Sequence, residues 1–141
     1  LGVTMDRDSW GIFHDGYISR IEGVVPGELR VFVNILYLRE MFQGEGEGFV
    51  VTLSNCTVFE FQEYDEQPTS NLRDIEDLEP EVLYVQSKEP LVLDCSAGTL
   101  RLSYDSATIE IDNGIPVTDD ELSQECDNYW EGWKKRNEEN S

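Results

Sequence analysis

One histidine and three cysteines limit the nucleophilic and metal chemistry open to this 141-residue chain. His14 is followed by Asp15, a pairing in which a carboxylate orients an imidazole for proton transfer. A thiol from Cys56, Cys95 or Cys126 meeting that imidazole in space would complete a Cys–His nucleophile. A His-Asp dipeptide just before a strand more often serves as a turn or capping group. Each cysteine also has apolar or aromatic neighbours in sequence, the setting of a buried core thiol. The expectation is therefore no catalytic residue, with His14 and Asp15 as the candidates to examine. A single histidine excludes multi-histidine zinc sites, and no two cysteines are close enough in sequence for a zinc ribbon or a CxxC redox pair. An odd cysteine count favours reduced thiols.

Gly44-Glu45-Gly46-Glu47-Gly48 is glycine-rich, but its two carboxylates and missing lysine would repel phosphate rather than cradle it. It reads as a flexible connection. The chain has no GxSxG or HExxH motif and no DxDxDG spacing. No metal and no cofactor is expected.

The strongest chemical signal is charge. Thirty acids against ten bases give a net charge of −20, which removes nucleic acid and anionic membranes from the partners the surface would attract. Acids concentrate in two places. Between residues 60 and 81 lie Glu60, Glu63, Asp65, Glu66, Asp74, Glu76, Asp77, Glu79 and Glu81 against the single base Arg73, and the first eight are the candidate binding residues. From residue 119 to 131 there are six more acids and no base. Such a field steers a basic protein partner, and it equally serves as a self-repelling, solubilising surface.

Those residues must be positioned by a fold, and 39% apolar content with 11% aromatics argues for a folded globule in spite of the charge. Residues 17–112 repeat short runs of β-branched, aromatic and leucine residues separated by turn signals, the pattern of antiparallel sheet. Strands are expected at Tyr17 to Val25, Leu29 to Leu38, Phe49 to Ser54, Thr57 to Tyr64, Val82 to Gln86, Leu91 to Cys95, Leu100 to Tyr104 and Ala107 to Asp112. The third and fourth read as a hairpin, and the last three as a meander. Leu72, Ile75 and Leu78 at three-residue steps suggest a short acidic helix ended by Pro80. The last segment, 118–138, is the clearest helix. Thr118 and Glu121 fit a capping box, acids fill its first turn, and Lys134, Lys135 and Arg136 fill its end. Leu122, Cys126, Tyr129, Trp130 and Trp133 share the side expected to dock on the sheet. The fold class is therefore α+β in one domain: an N-terminal extension at 1–12, an antiparallel sandwich or half-barrel of about eight strands at 17–112, and a C-terminal helix.

Phe13-His14-Asp15-Gly16-Tyr17-Ile18, leading into a hairpin at Leu29-Arg30-Val31-Phe32-Val33, resembles small bacterial β-rich proteins that open with an HD, small residue, x, I segment. Some of these families are uncharacterised and some are similar to immunity proteins of polymorphic toxin systems. The resemblance covers about the first 60 residues. It implies His14 and Asp15 as a structural signature rather than an active site, and a cognate toxin as partner.

The leading expectation is a non-enzymatic acidic module that binds a basic protein. The alternatives are a small hydrolase or ligand-binding protein using His14 with a nearby Cys or Asp, and a structural or assembly subunit. The chain starts at Leu1, with Met5 as an alternative start, and no signal peptide or spanning segment is visible, so a cytoplasmic monomer or homodimer is expected.

Overall fold

A computed structural model of the chain describes residues 4–139. Among these residues nine strands form two antiparallel sheets that do not close into a barrel. One sheet has the order β1 (Tyr17–Gly23), β2 (Gly27–Asn34), β3 (Gly48–Cys56), β8 (Ser106–Ile111), β9 (Pro116–Val117). The other has the order β4 (Val58–Glu63), β7 (Gly98–Ser103), β6 (Leu91–Cys95), β5 (Val82–Lys88). The alternation read from sequence decides which faces meet. Leu29, Val31 and Val33 of β2, Phe49, Val51 and Leu53 of β3, and Ala107, Ile109 and Ile111 of β8 are buried from one sheet. Phe59 and Phe61 of β4, Leu100 and Leu102 of β7, and Leu91 and Leu93 of β6 meet them from the other.

Two expected connections are different in the fold. The runs around residues 49–54 and 57–64 are not a hairpin: β3 pairs with β2 and β8, and β4 with β7. The expected meander likewise breaks after β7, because β8 returns to the other sheet. Both breaks occur at one corner. The β3–β4 strand and the β7–β8 strand run antiparallel as one ribbon that folds from sheet to sheet. Thr57 N–H bonds Ser103 O at 2.8 Å and Asp105 N–H bonds Ser54 O at 2.9 Å across the bend. Three residues, 55–57, oppose two, 104 and 105, so one strand carries an extra residue, which is how a β-bulge bends a ladder. Asn55 takes that strain with a left-handed φ of 51° and bonds Asp105 through its side-chain amide at 2.8 Å.

The remaining seam is closed by short pieces. Val82 N–H bonds Gly16 O and Ile18 N–H bonds Pro80 O, joining the start of β1 to the start of β5. The short acidic helix is present as α2 (Leu72–Leu78), capped by the Asn71 side chain on Asp74 N–H and ended by left-handed Glu79 before Pro80. Its Ile75 is buried, and its Glu76 carboxylate accepts Ile21 N–H at 2.7 Å on the open edge of β1. An edge strand's unpaired donor is thus capped by a side chain.

Of the expected N-terminal extension, residues 1–3 lie outside the described residues, and Arg7–Phe13 is a 3-10 helix that belongs to the core. Trp10 and Phe13 are fully buried, the Trp10 indole N–H bonds the Tyr104 hydroxyl at 3.0 Å, and Phe13 packs on Phe49.

The second expected strand also stops early. Leu36–Arg39 is one helical turn, α1, which places Arg39 inside the protein at 1% exposure. The Arg39 Nε bonds Asp112 Oδ1 at 2.8 Å, and its two terminal nitrogens donate to the carbonyls of Gln43, Gly44 and Glu45. The other Asp112 oxygen accepts the amides of Glu47 and Gly48. The Gly44–Gly48 segment is therefore wrapped around an ion pair instead of serving as a loose connection, and a Cβ at Gly46 would overlap the Asp112 carboxylate.

The C-terminal helix, α3 (Asp119–Glu139), begins with the expected capping box. Thr118 Oγ1 accepts Glu121 N–H and Glu121 Oε1 accepts Thr118 N–H, both at 3.1 Å. Its N-terminal half packs against the sheets through Leu122, which is fully buried. Beyond that point α3 packs on Tyr37 of α1 and on His14 at the end of the 3-10 helix. No helix among the described residues is long and apolar enough to cross a membrane.

Two outcomes follow for stability. Asp112→Ala leaves the Arg39 guanidinium buried without its countercharge, so urea denaturation should show a loss of about 3 kcal/mol, against about 1 kcal/mol for Thr118→Ala at the helix cap. Partial burial pushes the Asp112 carboxyl up, but the Arg39 guanidinium and the two backbone amides outweigh it and hold it below the usual carboxylate range. A depressed folded-state value means the stabilisation is complete above the unfolded value of about 4 and drains as pH falls below it. The urea midpoint of Asp112→Asn should therefore change less than that of the parent between pH about 5 and pH about 2.

Candidate functional site

The 3-10 helix delivers His14 to the middle of α3. Its imidazole stacks on the Trp130 indole with ring centres 5.8 Å apart and planes 19° apart, and its backbone carbonyl accepts the Tyr37 hydroxyl at 2.9 Å. Tyr37 in turn contacts Tyr129 and Trp130, and Trp130 meets Trp133. His14, α1 and the middle of α3 are thus one aromatic junction. This is where the apolar stripe of the last helix docks; the expected contact with the sheet is made by Leu122, whereas Tyr129 and Trp130 are half-buried against His14 and Tyr37. Trp133 remains 45% exposed. Burial is the main reason the Tyr37 hydroxyl is raised well above its ordinary pKa, so it stays a neutral donor to the His14 carbonyl.

The expected catalytic candidates are adjacent but not assembled. Nε2 of His14 lies 3.8 Å from Asp15 Oδ2, beyond hydrogen-bond reach, with both side chains more than a third exposed. The groove beside them is lined by Asp15, Tyr17, Asn34, Leu36 and Tyr37, and His14 stands outside it. None of the three thiols bonds His14. Cys56 is buried at the sheet corner, and Cys95 is buried between the sheets with its thiol pushed up to about 12, first by burial and then by the Asp94 charge. Cys126 is half-buried in α3, and burial raises its thiol as well, so all three are poor nucleophiles near neutral pH. Among the described residues no three His, Cys, Asp or Glu side chains cluster as metal ligands.

The eight acids singled out in the 60–81 region divide by role. Glu60 pairs with Arg101 at 3.6 Å, and Glu76 caps the edge of β1. Glu63, Asp65, Glu66, Asp74, Asp77 and Glu79 are exposed on the end of β4, the following loop and α2. They form a charged surface, and none of them lines the grooves around α1 and α3.

A second acidic surface has relief. Between α3 and the α1 turn with its following loop lie two depressions, of about 530 Å³ and about 630 Å³, both lined by Met41. The first has an apolar floor of Phe42, Ile111, Ile115 and Val117, with Asp120, Glu121 and Glu125 along the α3 side. The second continues past Tyr37, Glu40, Tyr129 and Gly132 to Arg136. Sequence reasoning counted the acids of α3 but did not assign them a site. One signal was available: Glu121 and Glu125 are like charges at i and i+4, a spacing that destabilises a helix slightly and is followed on the same face by Tyr129. The apolar floor was not legible, because Met41 and Ile115 reach α3 only through tertiary structure.

Comparison of the chain with protein-family models, with curated proteins and with solved structures gives no match.

The thiol environments set an order of reactivity. With iodoacetamide at neutral pH and mass spectrometry as readout, Cys126 should be alkylated slowly, and Cys56 and Cys95 only after denaturant is added.

Proposed function

We propose that this protein is a non-enzymatic acidic binding module that recognises a basic protein, in the manner of the immunity proteins to which some of the β-rich families its N-terminal segment resembles are similar. The observation that carries this reading is how the charges are paired. Arg20, Arg30, Arg39, Lys88 and Arg101 are each in an ion pair within the fold, with Glu22, Glu110, Asp112, Asp8 and Glu60. Half of the ten cations are thereby spent internally, while Glu63, Asp65, Glu66, Asp74, Asp77 and Glu79, and on α3 Asp120, Glu121 and Asp127, are exposed with no ion-pair partner among the described residues. A surface of this kind raises the encounter rate of a basic partner by roughly 10-fold to 1000-fold, and salt weakens the effect by screening.

The junction of His14, Tyr37, Tyr129 and Trp130 supports a structural role for the His-Asp signature: it fixes α3 on the body and so holds the acidic face in place. The immobilised protein should capture a basic protein from lysate at about 50 mM salt and release it at about 500 mM, where the Debye length falls to a few ångströms. Recovery of only acidic proteins, or retention indifferent to salt, would count against the reading.

A further inference from the structure

We infer that the groove between α3 and the α1 turn is the docking site for a basic amphipathic segment of the partner. The inference rests on the binding-module reading and commits it to one surface and one kind of ligand.

Shape gives the first reason. The two depressions share Met41 as a lining residue and together flank α3 from Asp120 to Arg136, which at 1.5 Å per residue is a length of about 24 Å. That suits four or five turns of helix, or a shorter extended strand. Gly132, the one glycine of α3, adds no side chain to the second depression, and a residue there other than glycine would favour the helix. Chemistry gives the second. The floor is apolar: Ile115 is 40% exposed, and Met41, Phe42 and Tyr129 are half-buried. An occupant therefore needs aliphatic or aromatic side chains to displace water from it.

Charge gives the third. Glu40, Asp120, Glu121 and Glu125 line the walls, and no base appears until Arg136 at the far end. Among the described residues none of these four acids is in an ion pair; Glu121 caps its own helix and Glu125 accepts the Asn128 amide at 2.8 Å. A segment with lysines or arginines flanking its apolar side chains meets both features at once, its cationic part toward the N-terminus of α3. The acids of 60–81 offer charge without an apolar floor, and two of them are already engaged by Arg101 and by the edge of β1. This is the helix-in-groove mode of recognition, with the wall acids excluding anionic helices.

The test uses the full chain and three fluorescein-labelled 18-residue peptides: an amphipathic Lys/Leu helix, a Glu/Leu counterpart and a Lys/Ser counterpart, read by fluorescence anisotropy at low salt. Lys/Leu should bind, and the other two should bind at least about tenfold more weakly, one for lack of charge complementarity and one for lack of apolar contact. Asp120→Lys/Glu125→Lys should weaken Lys/Leu binding about tenfold or more, whereas Asp65→Lys/Glu66→Lys should change it less than about twofold, with thermal melts confirming that both variants fold. Gly132→Leu, which fills the groove without altering charge, should weaken binding as well. Equal loss in the two double variants, greater loss in Asp65→Lys/Glu66→Lys, or equal binding of Lys/Ser and Lys/Leu would overturn the groove while leaving a basic partner in place. No binding of any cationic peptide, together with no salt-sensitive capture of a basic protein, would overturn the underlying reading too.

Discussion

Backbone polar groups must stay paired when a sheet turns a corner, and this architecture depends on how one ribbon meets that demand. The β3–β4 and β7–β8 strands pass from one sheet to the other side by side, so each supplies partners for the other through the bend. An extra residue on one strand, the left-handed Asn55 and its bond to Asp105 make the fold-over without abandoning the ladder. The two sheets are therefore bound by main-chain hydrogen bonds at this corner as well as by the apolar layer between them. The opposite seam is lighter: a few bonds between the starts of β1 and β5, with α2 covering the edge.

The buried Arg39 organises the end of the sandwich nearest α3. A guanidinium at 1% exposure is tolerated only with its donors satisfied, and here a carboxylate and three carbonyls satisfy them. Because those carbonyls belong to residues 43–45 and the carboxylate to the residue just after β8, the ion pair ties the loop between α1 and β3 to the end of β3's neighbouring strand. That loop leads directly from Met41 and Phe42, so the interaction that orders the glycine-rich segment also shapes one wall of the groove. The second wall is held by the junction of His14, Tyr37 and Trp130, in which an imidazole with no thiol or carboxylate within bonding distance serves as a stacking surface.

The sequence by itself determined the strand faces and the helix caps, since both are local. Alternation in 29–33, 49–53, 59–61, 100–102 and 107–111 names the buried residues because side chains of a strand point to opposite faces in turn. Thr118 and Glu121 need only three residues of spacing to cap α3, and Leu72, Ile75 and Leu78 likewise mark α2. The six acids between residues 119 and 131 were countable from the same string. What was not local was not legible. Nothing around Asn55 or Asp105 says that the next strand joins another sheet, because a turn and a corner use the same residues. Leu36 and Leu38 continue a strand pattern, yet the chain winds there into a helical turn that brings Arg39 to Asp112, 73 positions away, a partner no local pattern announces. Trp10 and Phe13 lie in a stretch without periodicity, yet fill the core. The groove belongs to this second group: its acids were visible, but its floor unites residues 41–42 with 111–117, and only tertiary packing brings them to the same face of α3.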